Sequence, residues 1–408
     1  MTYSAIARKA RAGAGWCTAL LGFAIPVSTA LDSILTVAVL LACLIAAPLY
    51  LREWRIHYVQ MKTPVVALAL FALLSLACLW SAAPAKASWS SLSKYLDLLL
   101  IPVFAWAAAT ALIRKRTLFF FIAAIVLNLA LSYGSAFHLW DSLPGVYSKP
   151  HYPIGFRLSV THNLLISMAA LLFLLLARAL KPSRPRAALL MLALALACML
   201  NVLLVVIGRT GYLVLAALLV YFSTTLVGGR RNVLVAFLFM SVLFASAYFA
   251  SSHFPARIQD VAADLAQWEA GSDDETSVGQ RLGYYLTSAG IVRDHPFTGV
   301  GTGGFAPAYA ARVAGTTARV TENPHNDYLM IAVQAGLPAA FLLIALYAVA
   351  WREARRLEKP LERDLLRGLV LTLAIAGVFN SALMDHVEGI FFAWGAGVLL
   401  ASLREAPA

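Results

Sequence analysis

A histidine at the end of a long polar segment is the residue in this sequence best suited to proton transfer. His325 stands in residues 322–329 (ENPHNDYL), directly before an apolar run. An imidazole with an ordinary pKa of about 6.5 is mostly neutral near pH 7 and can accept a proton from a hydroxyl group. A helix-capping or interface histidine is the alternative, because histidine is common at partly buried positions without a catalytic role.

Three arginines could bind a negatively charged group beside this histidine. Arg209 lies between glycines that would let a ligand approach, Arg281 lies on a predicted helix of the polar segment, and Arg157 directly precedes an apolar run. Snorkelling to lipid headgroups or a solvated helical face are the alternatives. Two or three guanidinium groups could bind a diphosphate in bidentate fashion. With His325 as the base, the set suits glycosyl transfer from a lipid diphosphate to a hydroxyl.

Other polar motifs are weaker candidates. Residues 299–304 (GVGTGG) match the pattern of a dinucleotide site, but no strand precedes them, so we interpret them as a tight turn that allows close packing. Residues 273–275 (DDE) could ligate a divalent cation, although a solvated loop is the simpler interpretation. Asp97 lies in an apolar run, where a local ion pair is the simpler explanation. Residues 385–388 could line a cleft or orient the histidine, with helix capping as the default.

The composition places the chain in a membrane. Of its 408 residues, 61% are hydrophobic and 13% are charged, whereas about 25% are charged in a typical soluble domain. So many apolar side chains exceed what one water-surrounded core can bury, and they also exclude a disordered chain. We therefore expect an all-α, polytopic bundle of transmembrane helices.

About twelve apolar runs are long enough to cross a bilayer as helices. They cover residues 15–31, 33–51, 64–81, 95–113, 117–139, 159–178, 187–207, 211–227, 232–251, 328–350, 368–385 and 387–403. Most of the 32 Lys and Arg residues fall in connections that are cytoplasmic if the N-terminus is cytoplasmic. The net charge of +12 is therefore a topology signal and a contact to anionic membrane lipids, and it does not indicate a nucleic-acid partner.

One stretch, between the ninth and tenth predicted spans, is large enough to form a lobe outside the membrane. Apolar residues at helical spacing predict two helices in it, over 258–268 and over 277–293. We expect three parts: spans one to nine over 1–251, a small helical lobe on the non-cytoplasmic side over 252–327, and spans ten to twelve with a short cytoplasmic tail over 328–408.

The motifs of this region resemble the O-antigen ligase and polymerase superfamily. The resemblance rests on residues 296–305 (PFTGVGTGGF), 323–329 (NPHNDYL) and 334–337 (QAGL), together with many spans and one long outer loop. It covers roughly residues 200–345, and the N-terminal half matches in hydropathy alone. Within the superfamily the chain is most similar to lipopolysaccharide O-antigen ligases.

The resemblance implies a glycosyltransferase of the Gram-negative inner membrane with cytoplasmic termini and a periplasmic active site. Such ligases move a finished O-antigen from undecaprenyl diphosphate to a sugar of lipid A–core, with inversion and without metal, ATP or another cofactor. It implies that His325 is catalytic and that Arg209 and Arg281 bind the diphosphate. Arg157 has no motif support and is a further candidate for the same role. The supporting residues that we expect around them are Tyr212, Glu322, Asn326 and Asp327.

Three other functions stay open. An O-antigen polymerase uses the same donor but extends a second lipid-linked chain, and polymerases often divide their arginines between two sizeable outer loops, whereas one loop dominates here. A protein O-oligosaccharyltransferase differs in its acceptor. A twelve-span transporter would place polar residues near the bilayer midplane within repeated halves, but the charged residues of this sequence cluster at the outer edge.

Overall fold

Helices form the framework of the molecule. The computed structural model describes residues 2–140, 152–226 and 276–404, together with 143, 145–147 and 149. The helices in these residues are α1 Tyr3–Val27, α2 Thr29–Gln60, α3 Thr63–Ala77, α4 Ala85–Ser93, α5 Ile101–Ala107, α6 Ala111–Ala136, α7 Ser159–Leu180, α8 Pro185–Leu200, α9 Arg209–Leu226, α10 Ser277–Asp294, α11 Phe305–Val313, α12 Asp327–Glu353, α13 Pro360–Phe379 and α14 His386–Leu400. The predicted all-α fold is confirmed for this part of the chain.

Nine helices among the described residues are long and apolar enough to cross a membrane. They are α1, α2, α3, α6, α7, α8, α9, α12 and α14. The chain is therefore an integral membrane protein. The predicted ninth span over 232–251, the predicted helix over 258–268 and the predicted boundary at residue 251 lie outside the described residues.

The predicted fourth span over 95–113 is wrong. A 3-10 turn at Leu96–Leu100 and the short helix α5 together make an apolar segment that is too short to cross a bilayer. The hydroxyl of Thr110 then accepts a hydrogen bond from the backbone N–H of Ile113 at 3.3 Å and caps α6. Hydropathy misses this boundary because apolar residues continue on both sides of Thr110, the single polar residue that caps the helix.

Helix α13 also begins earlier than the predicted span over 368–385, at Pro360. Its first two turns are charged, and the charge is satisfied inside the bundle. The buried carboxylate of Asp364 accepts a hydrogen bond from the hydroxyl of Tyr221 at 3.0 Å and lies 3.4 Å from the guanidinium of Arg178. These two partners lie on α9 and α7, so α13 is held at the centre of the bundle, where it also contacts α12 and α14.

The glycine-rich stretch at 299–304 is a tight turn that packs closely against the bundle, as predicted. Gly301 has a φ of +89°, and a Cβ there would lie 2.2 Å from the Cα of Ser81. The backbone N–H groups of Val300 and Gly301 donate hydrogen bonds to the carbonyl oxygens of Val333 and Gln334, at 2.8 and 3.0 Å. This turn is therefore attached to α12 through its backbone.

Helix α12 is broken where this turn binds it. Ala335 and Gly336 have non-helical backbone angles, with a φ of +77° at Gly336. The break removes the helical partners of the carbonyls just before it, and the glycine turn supplies new ones. The first segment of α12 is consequently a short helix that begins at Asp327, two residues after His325.

Candidate active site

The loop helix α10 brings three polar side chains toward the bundle. The hydroxyl of Thr276 accepts from the backbone N–H of Gly279 at 3.1 Å and begins the helix, which confirms the helix predicted over 277–293. Arg281, Tyr284 and Tyr285 are three and four positions apart, so they share one face. That face contacts the turn just before α12, where His325 lies.

His325 occupies a tight turn that its neighbours hold in place. Its φ is +54°, a left-handed conformation that is uncommon for residues other than glycine. Its backbone N–H donates to Oδ1 of Asn323 at 2.8 Å, and the same oxygen accepts from the hydroxyl of Ser381 at 2.6 Å. The imidazole lies against the ring of Tyr284, with centroids 6.3 Å apart and planes 30° apart. The imidazole is therefore positioned by both its backbone and its ring.

Two further side chains join α10, the histidine turn and the end of α13. The hydroxyl of Tyr285 lies 2.8 Å from the carbonyl oxygen of Val378 and 3.2 Å from that of His325. Asn326 caps α12 by accepting from the backbone N–H of Leu329 at 2.9 Å, and its amide donates to Val378 at 2.9 Å. The carbonyl oxygen of Val378 thus accepts hydrogen bonds from Tyr285 on α10 and from Asn326, the residue after the histidine.

Arg209 reaches the same region from α9. It is the first residue of that helix, and the hydroxyl of the next residue, Thr210, accepts from the amide of Asn380 at 3.2 Å. Asn380 directly precedes Ser381, which is bonded to the histidine turn. The start of α9 is therefore linked to the histidine turn through Asn380 and its neighbour Ser381.

The glycines beside Arg209 have a different role from the one that the sequence suggested. A Cβ at Gly208 would lie 2.5 Å from Nδ2 of Asn163, and one at Gly211 would lie 2.6 Å from its Cβ. Asn163 lies on α7, and its amide donates to the carbonyl of Val206 at 3.1 Å. The glycines therefore allow α7 to pack closely against the start of α9. The side chain of Asn163 occupies the space that a Cβ at either glycine would need.

The positive charge of Arg281 acts on His325. Burial and the charge of Arg281 lower the pKa of His325 below its ordinary value. Burial also lowers the pKa of Arg281, while the nearby Tyr285 raises it and the charge of Arg209 lowers it. Two guanidinium groups that repel each other beside a half-buried imidazole form a site that an anion would stabilise. The charge of Arg281 disfavours the imidazolium form of His325, and the neutral imidazole is the form that accepts a proton.

Arg157 lies in a second cluster and forms a structural ion pair there. Its side chain is buried, its Nη2 lies 3.0 Å from Oδ2 of Asp32, and its Nε donates to the carbonyl of Ile25 at 2.8 Å. It also donates to the hydroxyl of Thr29. Burial lowers the pKa of Arg157, and the charge of Asp32 opposes that shift. The guanidinium thus connects the end of α1 to the start of α2.

The acidic and histidine residues at the start of α14 belong to this second cluster as well. Nε2 of His386 lies 2.8 Å from Asp32, and its Nδ1 lies 3.6 Å from Asp97. Glu388 accepts from the hydroxyl of Thr161 at 2.5 Å. Asp385 occupies the N-cap position of α14, but its side chain forms no capping hydrogen bond, so the default interpretation as a helix cap is wrong for this residue.

The remaining supporting residues have separate positions. Asp327 is fully buried and accepts from the backbone N–H of Leu383 at 3.1 Å, which fixes the connection between α13 and α14. Tyr212 lies one turn after Arg209 and packs partly against the core. Glu322 is exposed on the loop before the histidine turn.

Sequence reasoning did not select Tyr284, Asn323 and Ser381 as site residues. Tyr284 follows Arg281 by three positions on a predicted helix, so its place on the arginine's face was accessible from the spacing. Ser381 carries no comparable signal, because it is 58 residues from Asn323 and meets it only in the folded chain.

Within the described residues, no group of three His, Cys, Asp or Glu side chains is arranged to hold a metal ion. The acidic stretch at 273–275 lies outside those residues.

The fold and the site together define an integral membrane protein with a cationic, histidine-bearing site at one end of its helical bundle. Residues 194–344 match the family model described as O-antigen ligase, a region that includes Arg209, Arg281 and His325. Over this region the chain is similar to the O-antigen ligase superfamily, whose members are ligases and polymerases of the membrane glycosyltransferase type. No curated protein matches the chain.

Proposed function

We propose that this protein transfers an O-antigen polysaccharide from undecaprenyl diphosphate to a sugar hydroxyl of lipid A–core, at the periplasmic face of a Gram-negative inner membrane. The observation that carries the proposal is the position of His325 within the reach of the charge of Arg281, which in turn lies near Arg209. This transfer requires a base next to positively charged groups that can bind an anion. The superfamily match supports the same class of substrate.

The proposed reaction is one displacement at the anomeric carbon. His325 takes the proton of the acceptor hydroxyl, whose oxygen forms the new glycosidic bond. The bond from the anomeric carbon to the diphosphate oxygen breaks, and undecaprenyl diphosphate leaves with the electron pair. Arg281 and Arg209 stabilise its growing charge, so no metal ion is needed for that purpose. A single displacement inverts the anomeric configuration.

The break in α12 bears on the transporter alternative. Transporters use the free carbonyls of broken membrane helices to coordinate ions. Here the carbonyls of Val333 and Gln334 accept hydrogen bonds from the glycine turn. They are already satisfied, which favours a structural role for the break.

The decisive experiment is a transfer assay with purified protein in a bilayer. The donor is an undecaprenyl-diphosphate-linked glycan, and the acceptors, supplied separately, are lipid A–core, a second lipid-linked glycan and a serine-containing protein. We expect the glycan on lipid A–core. A product on the lipid-linked glycan would instead identify a polymerase, and one on protein an O-oligosaccharyltransferase.

The same assay tests the metal-independent reaction and the role of the guanidinium fork. EDTA should leave the rate unchanged, and a loss that Mg²⁺ restores would contradict the proposal. Arg209→Lys and Arg281→Lys keep the charge but lose the planar fork, so each should slow transfer. Unchanged rates in both would contradict bidentate binding of the diphosphate.

A further inference from the structure

A groove of about 230 Å³ opens between α6, α7, α13 and α14, at the end of the bundle away from His325. Helix α13 defines this direction, because it runs from Pro360 beside the groove to Phe379 beside the histidine turn. The groove follows α13 from Leu361 to Leu369, a length of about 12 Å at the rise of an α-helix. Its lining is mostly apolar and includes the rings of Phe391 and Trp394 on α14.

The mouth of the groove is cationic. Arg114, Lys115 and Lys359 line it together with one carboxylate, that of Glu362. Oε1 of Glu362 accepts from Nε of Arg114 at 3.2 Å and lies 3.9 Å from Nζ of Lys359. The side chain of Lys115 is exposed. Among the described residues that line the mouth, three positive charges stand against one negative charge.

One oxygen of the Glu362 carboxylate is a candidate acceptor. Its Oε2 is buried, and no described residue donates a hydrogen bond to it. A buried acceptor in this state is costly, and a donor placed in the groove would satisfy it. An apolar groove, a cationic rim and an unsatisfied acceptor thus occur within one space. A matching ligand has an apolar chain, an anionic group and a hydrogen-bond donor.

We propose that this groove binds one anionic phospholipid whose headgroup carries a hydroxyl, such as phosphatidylglycerol. An acyl chain lies along the apolar lining, the phosphate lies between Lys115 and Lys359, and a glycerol hydroxyl donates to Oε2 of Glu362. Basic pockets between transmembrane helices are suited to anionic lipid headgroups. The ammonium group of an ethanolamine headgroup would be repelled by the positive charges at the mouth. The site is separate from the proposed reaction, which takes place at the other end of the bundle.

Native mass spectrometry of the full chain released from nanodiscs tests this directly. The discs contain equal amounts of phosphatidylglycerol and phosphatidylethanolamine. The wild-type protein should retain one phosphatidylglycerol in preference to phosphatidylethanolamine. Equal retention of the two lipids would overturn the proposal without any variant.

Two variants and a control locate the site. Lys115→Gln should reduce the preference for phosphatidylglycerol about fivefold. Ala111→Trp, at the mouth and on the first turn of α6, should fill the groove and reduce retention of both lipids. Lys181→Gln removes an exposed lysine at the end of α7, outside the groove lining, and should change neither. Equal losses in Lys115→Gln and Lys181→Gln, with unchanged thermal unfolding, would show general surface attraction and overturn the proposal.

Discussion

The phenolic oxygen of Tyr285 lies 3.2 Å from the carbonyl oxygen of His325, so the loop helix is bonded directly to the turn that carries the candidate base. The same oxygen lies 2.8 Å from the carbonyl of Val378 at the end of α13. Movement of α10 would therefore displace the histidine backbone together with Arg281, which lies on the same helix. The candidate base and Arg281 are therefore positioned as one unit.

Replacing the candidate base should abolish transfer without unfolding the protein. His325→Asn keeps a residue that tolerates the left-handed backbone but removes the imidazole. We expect the transfer rate to fall by about 10²-fold or more, measured with purified donor and acceptor. His138 is a matched control, because it is an exposed histidine with a φ of +56°. His138→Asn should retain full activity, and a comparable loss in both variants would show that the imidazole of His325 is not specific to the reaction.

Arg281 should set the pH dependence of the reaction. Its positive charge disfavours the imidazolium form and contributes to the lowered pKa of His325. Arg281→Gln removes that charge, so the pKa of His325 rises and the base becomes protonated at a higher pH. The acidic limb of the rate profile should therefore shift to higher pH, in addition to any fall in the maximal rate.

Arg293 provides the comparison for that experiment. It lies near the end of the same helix, and its side chain is 80% exposed. Arg293→Gln should leave the acidic limb where it is in the wild-type protein. If the limb of Arg281→Gln also stays in place, the titrating group is not an imidazole that Arg281 influences.

Arg157 should affect stability rather than catalysis. Its ion pair with Asp32 is buried on both sides, and removing one partner leaves an uncompensated charge. We expect Arg157→Gln to cost about 3 kcal/mol or more of unfolding free energy, seen as a lower midpoint of thermal unfolding in bilayer discs. Arg319→Gln, on an exposed loop, should leave the midpoint unchanged. An Arg157→Gln variant with wild-type stability but no transfer would instead support the candidate role in diphosphate binding.

The break in α12 should depend on a glycine at position 336. Gly336→Ala places a Cβ 2.4 Å from the carbonyl carbon of Phe297, in a backbone conformation that costs about 1–3 kcal/mol for other residues. Gly315 has nearly the same φ, +78°, but its Cβ would meet no atom within 4 Å. Gly315→Ala should therefore lower the unfolding midpoint much less than Gly336→Ala. Equal shifts would show that the close approach of residue 297 contributes nothing.

Local sequence patterns were sufficient for several features. The apolar runs predicted most of the membrane helices, and the spacing of residues 277–293 predicted α10. The motif around His325 predicted the superfamily that the family model supports. These features depend on residues that are neighbours in the chain, which is why periodicity and motif carry them.

Tertiary contacts decided the rest. That Arg157 forms an ion pair depended on Asp32, which lies 125 positions away and which no local pattern connects to it. The sequence suggested that the glycines beside Arg209 leave room for a ligand. In the folded chain the packing of α7 places Asn163 against them. Composition determined that this chain enters a membrane, because the free energy of burying apolar surface adds up along the sequence. Which charges pair and which remain to bind an anion was fixed by the packing of distant helices, because electrostatic energy depends on distances that only the folded chain defines.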